Sequence, residues 1–462
     1  MGAGGGAAAG PKGDGAPVDE EKVKKMQMNA QKLDELAEKA KAFEVDKNAN
    51  VGRSKDRGFT VNMGKATELD PDLRGKERAT TLPAGGQRRG DFQLSAEVQA
   101  QMKARMEKLE GRVRRGSIFL GAVRDQDLIQ KWENDCEYAV YGKLSTGQSP
   151  ASEREIDFYP KTAKLAELTA KSGLVFSCTK GCKGVGDRSP NQDNFSLVKY
   201  KDKGGWEIIC VMDGHGPAGH NVSHRSVQVL PYYLHNSEFF PDEMEKALED
   251  AFQITQQDLL GHGIQEGYDV QASGTTAIVF LRNGADCYTA HTGDSRFVLG
   301  HEGDRTLQFE TMDHKPNTEA EKVRIEANGG EVREFRYDDE YGGEELVVHR
   351  VFIKGCDYPG LCMGRSLGDE CVKAHGVTCI PEVNHITLDL AKKPFLFAAS
   401  DGVWEFIPSE WVIKTIVKKL GEDPPQKIMQ KICKESRRKW RQEEGDYCDD
   451  ITGVLILTSL NK

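Results

Sequence analysis

Residues 206–220 read WEIICVMDGHGPAGH. Ile208, Ile209, Cys210, Val211 and Met212 form an unbroken apolar run, bounded by Gly204 and Gly205 before it and Gly214 after it. A run that short between glycines predicts a strand buried on both faces. It delivers Asp213 at its end and continues as Asp-Gly-His-Gly. A carboxylate at the exit of a buried strand has a fixed place at a sheet edge. Gly214 and Gly216 let backbone come close to a ligand, since no side chain intervenes. His215 adds a side-chain type that exchanges protons near neutral pH. Taken alone, Asp-Gly reads as a tight turn after a strand. The surrounding sequence shifts that reading, because other strands deliver carboxylates in the same way.

Pro394–Ala399 is a second apolar run and leads into Asp401; Asp449 and Asp450 open a third, at 451–460. If the three strands share a core, Asp213, Asp401 and Asp449 meet at one edge. Three carboxylates cannot all stay ionised together without a cation, because each raises the pKa of the others. Oxygen-only ligation suits hard ions such as Mg²⁺ or Mn²⁺. Two such ions about 3.5–4 Å apart can hold a water between them and aim it at phosphorus. A guanidinium would be needed to hold phosphoryl oxygens, and Arg188 in GDRSPNQD is the candidate.

Around these strands the texture is that of a mixed α+β domain. Helices are expected at 222–234 and 243–260, the second with Met244, Leu248, Ala251, Phe252 and Leu259 on one side. A hairpin turns at Asn283-Gly284, between strands at 274–281 and 286–291. Thr292-Gly293-Asp294-Ser295 puts Asp294 at an exposed tip. Thr318-x-x-Glu321 predicts a capping box opening a helix at 318–327. Residues 331–363 are polar and punctuated by glycine, which suggests a mobile flap. Helices follow at 409–420 and 425–442.

Upstream of Gly173 the chain differs. Of its 462 residues, 1–120 hold 23 Lys+Arg against 18 Asp+Glu, and the remainder 40 against 55. The acidic remainder argues against nucleic acid as a partner and suits a site that gathers cations. Residues 1–16 are Gly/Ala-rich and read as disordered; 19–45 and 95–111 have helical spacing; 46–94 have no period. Gly2 is open to myristoylation, but Gly6 stands where Ser or Thr is preferred, so a flexible tail is the favoured reading. Arg114-Arg115-Gly116-Ser117 matches a basic-directed kinase site, against the plainer reading of a solvated basic face. Residues 1–170 are therefore assigned to an N-terminal extension, partly disordered with helices, and 171–462 to a catalytic domain. Eleven scattered cysteines with no signal peptide suggest a reducing compartment, cytoplasmic, with nuclear or lipid-anchored pools as alternatives. Cys178-x3-Cys182 has no second pair at zinc spacing. No apolar stretch approaches the ~20 residues of a membrane span.

Read together, the blocks DRSPNQDNF, VMDGHGPAGH, SGTTA, HTGDSR, DHKP, RIEANGG, PGLCMGRSLGD, AASDGVW and DDIT resemble, in order, those of the metal-dependent Ser/Thr protein phosphatases of the PPM or type 2C family. The resemblance runs from about Gly173 to Leu460. It implies a four-layer α/β/β/α sandwich of two antiparallel sheets, with two Mg²⁺ or Mn²⁺ ions at one edge and a bridging water as nucleophile. By that resemblance Asp213 bridges both ions, the Gly214 carbonyl serves the first, and Asp401 and Asp449 hold the second. Asp294 matches the ligand of a weaker third ion, and Asp193 an acidic residue near the waters of the first. Arg188 matches the phosphate-binding arginine and His215 the general acid. Gln192 stands where the family often has Glu. Asp369, in RSLGD, reads as support for the fold. The partners implied are phosphoprotein substrates, acted on by a monomer.

Three rival readings are open. Cys182-x5-Arg188 has the spacing of a cysteine phosphatase loop, although Asp187 would repel phosphate there. A catalytically dead binding protein is disfavoured, because Asp213, Asp401 and Asp449 are all present. A third makes the extension a docking device that carries the phosphatase.

Overall fold

The computed structural model describes residues 122–337 and 346–460. Twelve strands build two antiparallel sheets: β1 (Cys136–Gly142), β2 (Ile156–Tyr159), β3 (Leu174–Thr179), β4 (Asn194–Tyr200), β5 (Glu207–Met212), β6 (Ala277–Asn283), β7 (Asp286–Thr292), β8 (Arg296–His301), β9 (Asp304–Glu310), β10 (Glu382–Thr387), β11 (Pro394–Ala399) and β12 (Ile451–Leu457). The first sheet has the order β10-β7-β6-β5-β4-β1-β2 and the second β9-β8-β11-β12-β3. Helices α1 (Gly219–Asn236) and α2 (Met244–Glu266) cover the first sheet; α3 (Ser409–Lys419) and α4 (Pro425–Glu443) cover the second.

The apolar run of β5 shows why the sheets stack. Every residue from Ile208 to Met212 is fully buried. Ile208, Cys210 and Met212 pack toward α1 and α2, with Val222, Leu230 and Leu248. Ile209 and Val211 point the other way, against Phe297, Leu396 and Val454 of the second sheet. β11 divides likewise: Phe395 and Phe397 meet Ile413 and Ile432 of the helices, while Leu396 and Ala398 face the first sheet. Each fully buried aliphatic or aromatic side chain contributes about 1.5–3 kcal/mol. Strands apolar on both faces therefore have to be sandwiched between helices and a second sheet. The result is the α/β/β/α sandwich.

Four expectations are corrected or given their structure. First, the sandwich takes up residues assigned above to the extension. β1 pairs along β4, from Cys136↔Tyr200 to Tyr141↔Ser196, and β2 pairs with β1. Arg154 donates to the carbonyls of Asn191 and Asp193, so this region also braces the loop before β4. Tyr138, Ala139 and Val140 are as buried as the rest of the core. Their run is short, and nothing in its local pattern marks it as a strand. Second, Asp294 is buried rather than at an exposed tip, because His314 and Lys315 fold over it. Third, the described part of the stretch expected to be a flap is a paired hairpin, Gly330–Tyr337 with Leu346–Ile353. Fourth, Thr318 makes no side-chain cap; its hydroxyl donates to the Lys315 carbonyl, and Glu321 pairs with Arg324 and Arg365 instead. Gly2, Ser117 and the helices expected at 19–45 and 95–111 lie outside the described residues.

Candidate active site

Antiparallel pairing explains why the carboxylates meet. Adjacent antiparallel strands bring the end of one beside the start of the next. Asn194 at the start of β4 pairs with Met212 at the end of β5, so Asp193 and Asp213 leave the first sheet together. In the second sheet Ala399 of β11 pairs with Gly453 of β12, bringing Asp401 and Asp449 to the same edge. The Ser400 hydroxyl joins the two sheets there, donating to Asp193 Oδ2 at 2.7 Å.

The cluster is short of positive charge. Burial raises the Asp213 carboxyl well above its usual range, and the charges of Asp401, Asp193 and Asp449 raise it further. Asp193 is pushed up to about 8, first by burial and then by Asp450 and Asp449, against the Ser400 hydrogen bond. Asp193 Oδ1 is buried with no hydrogen-bond partner among the described residues. Crowded, buried carboxylate oxygens of this kind take up either protons or hard cations, and a pair of divalent ions fits the donor set. Asp450 is occupied differently. Its oxygens accept from Gly181 N at 2.7 Å and Gln192 N at 2.8 Å, which ties the loop at 181 to that at 192.

Lysines provide partial compensation that the sequence did not announce. Lys183 Nζ lies 2.9 Å from Asp449 Oδ1 and 3.7 Å from Asp450 Oδ2. Burial would lower its pKa, but Asp449 and Asp450 outweigh burial and hold it charged. Lys315 Nζ lies 2.8 Å from Asp294 Oδ2, beside a cavity of about 230 Å³ that Asp294 shares with Asp401, Asp313 and Arg296.

The backbone around Gly214 is tightly fitted. Gly214 N donates to the Gln192 carbonyl, and a Cβ at Gly214 would lie 2.4 Å from Gly219 O. Gln192 Nε2 donates to Gly216 O, so this glutamine braces the loop. His215 Nε2 is 2.7 Å from Asp369 Oδ2. Asp369 was expected to support the fold; it also orients the imidazole. It sits in a left-handed conformation, φ 45°, which a non-glycine residue adopts at a cost. Ser366 donates to the same oxygen. Burial would raise the Asp369 carboxyl, but His215, Lys373 and Ser366 together hold it below its usual range. Gly274 leaves room for the pair, since a Cβ there would stand 2.2 Å from Asp369 Oδ2 and 2.7 Å from His215 Nε2. His215 Nδ1 is buried and has no partner among the described residues.

Arg188 is exposed, on a loop anchored by Asp187. Asp187 accepts from Lys180 Nζ, Lys183 N, Ser189 N and the Ser189 hydroxyl. Its carboxylate thus takes the loop amides that a cysteine phosphatase would offer to phosphate. Burial acts to raise its pKa, but these donors hold the carboxyl well below its usual range.

A family model for protein phosphatase 2C matches residues 180–444, more than half of the sequence. The chain belongs to the protein phosphatase 2C family. A probable protein phosphatase 2C (number 73) of Arabidopsis thaliana is 32% identical over 59% of this chain and 76% of its own length. Another from that plant, number 34, is 31% identical over 74% of this chain and 96% of its own. A serine-threonine phosphatase 2C of Toxoplasma gondii superposes with a TM-score of 0.45 at 20% identity, over 68% of this chain and 98% of that one. As a type 2C phosphatase, the chain carries the nine sequence blocks on one sandwich, and the strand-end aspartates among them lie at a single edge. No described helix is long and apolar enough to cross a membrane.

Proposed function

We propose that this phosphatase hydrolyses phosphoserine and phosphothreonine on proteins, using a pair of Mg²⁺ or Mn²⁺ ions held by Asp213, the Gly214 carbonyl, Asp401 and Asp449. The observation that supports the reading is the meeting of four carboxylates, of which Asp213 and Asp193 are raised by burial and by their acidic neighbours. When bound, the ions would supply the Lewis acidity that makes water nucleophilic at neutral pH. Asp193 stands behind Asp213 and adds negative charge to the same pocket. Arg188, exposed and unpaired among the described residues, binds the phosphoryl oxygens in bidentate fashion. His215 protonates the departing serine or threonine oxygen, and Asp369 on Nε2 holds the ring. Asp294 adds a weaker third cation position, in which the ion competes with Lys315. The substrates are phosphoproteins, met in the cytoplasm by a monomer.

The test is steady-state hydrolysis of a phosphothreonine peptide with and without Mn²⁺. EDTA should abolish turnover and excess Mn²⁺ restore it. Turnover that survives exhaustive chelation would remove the metal reading.

A further inference from the structure

Beside the carboxylates, Cys182-Lys183 pairs antiparallel with Tyr447-Cys448, and the register sets Cys182 directly opposite Cys448. Directly opposed residues in such a pair have Cα atoms about 4.5–5.5 Å apart and point to one face. That separation falls within the 4.4–6.8 Å over which a disulfide closes. Both thiols are free, and both line one cavity of about 500 Å³ with Lys180, Arg437 and Arg441 on its wall. Cys182 is half-buried and reachable through the cavity; Cys448 is buried behind it. In the reduced state each sulfur rests on a carbonyl just beyond its own strand, Cys182 Sγ 3.5 Å from Gly184 O and Cys448 Sγ 3.4 Å from Asp449 O. These are weak bonds, and rotation about χ1 releases them.

We propose that Cys182 and Cys448 form a reversible disulfide, driven by a hydroperoxide, that regulates the phosphatase through Asp449. The Cys182 thiolate attacks one peroxide oxygen; the O–O bond breaks, leaving a sulfenic acid and, once protonated, the first water. The Cys448 thiol then attacks the sulfenic sulfur, its proton leaves with the hydroxyl as a second water, and the S–S bond forms. Two thiols lose two electrons and hydrogen peroxide gains them. A dithiol reverses the step. The bridge reaches the site because its neighbours are the site. Asp449 follows Cys448, and Lys183, which follows Cys182, bonds Asp449. Gly181 is pressed on the Asp449 backbone so closely that a Cβ would lie 2.3 Å from its carbonyl carbon. Turning the Cys448 side chain removes the Asp449 carbonyl's thiol partner, and a shift of a backbone fitted this tightly carries the Asp449 carboxylate with it. The effect on turnover rests on Asp449 acting as proposed above; the bridge itself does not.

The full chain is treated with hydrogen peroxide, the remaining thiols are alkylated, and peptides are mapped by mass spectrometry without reduction. The expected product links the Cys182 and Cys448 peptides, disappears with dithiothreitol and is absent from Cys182→Ser. Mn²⁺ affinity by calorimetry and peptide hydrolysis should both fall about 10-fold on oxidation and recover on reduction. The Cys182→Ser protein should show neither change. Cys182 found as a sulfinic acid with Cys448 alkylated, or either cysteine bridged elsewhere, overturns the disulfide. A Cys182–Cys448 bridge with unaltered Mn²⁺ affinity and turnover overturns the regulation. A chain with no hydrolytic activity in any state counts against the proposed function, while the peptide map still decides the bridge.

Discussion

Asp193, Asp213, Asp401 and Asp449 at the sheet edge differ instructively from His291, His314 and Glu382 further along β7 and β10. The second group brings one ligand-type atom from each residue within 4.8 Å of the others, as a metal site would. Yet it carries less charge, and one nitrogen of each ring is already engaged. His291 Nε2 donates to the Met312 carbonyl, while Gly293 N–H donates to His314 Nδ1. A neutral His314 therefore carries its proton on Nε2, 3.6 Å from Glu382. The two rings stack at 4.4 Å. Two neutral imidazoles and one carboxylate carry a single negative charge, whereas the sheet edge gathers four carboxylates. Residue type and proximity do not by themselves rank the two groups; the charge that has to be compensated does.

The strongest way to break this contrast is Asp213→Asn. It removes a charge and half of the carboxylate's donor capacity, and should cost several powers of ten in kcat. Calorimetry with Mn²⁺ should lose the tight sites in that variant but not in His314→Ala. Tight Mn²⁺ binding lost from His314→Ala and kept by Asp213→Asn would reverse the assignment of the two clusters.

Arg188→Ala should act on phosphate rather than on the cations. A 10–100-fold fall in kcat/KM, mostly through KM, with Mn²⁺ affinity unchanged, is the outcome to look for in peptide kinetics. Asp294→Asn should lower turnover less, by about 2–10-fold at limiting Mg²⁺, with the tight pair still bound. Wild-type turnover in that variant would show the third position idle.

The smallest effect belongs to the histidine cluster. Burial, with His314 beside it, pushes the His291 pKa down to about 4, against an ordinary 6.5. Between those values the unfolded chain binds a proton that the folded one refuses. This contribution is therefore complete above pH 6.5 and lost as the pH falls toward 4. Urea unfolding at pH 7 and pH 5 should show wild type losing on the order of 1–2 kcal/mol more than His291→Asn, with peptide hydrolysis at pH 7 nearly equal. Equal pH dependence in the two proteins would mean that His291 is not held neutral.

Much of the candidate site could be read without coordinates. Asp213, Asp401 and Asp449 each adjoin an apolar run, and a strand buried on both faces leaves its flanking residue at an edge. The helix expected at 243–260, which runs Met244–Glu266, was legible in part for the same reason: local periodicity follows from which face is buried. β1 was not legible. It is a short run beside charged segments, and what makes it a strand is its pairing with β4 some 60 residues later.

The sequence by itself determined where the buried strands lie and which carboxylates end them, because burial and turn chemistry act over a few neighbouring residues. Only the tertiary structure decided which of those carboxylates lack compensation. Lys183 reaches Asp449, Lys315 reaches Asp294 and Asp369 reaches His215 across separations of 266, 21 and 154 residues. Ion pairs and hydrogen bonds depend on distance in space, and that distance is set by the stacking of two sheets, not by the order of residues along the chain.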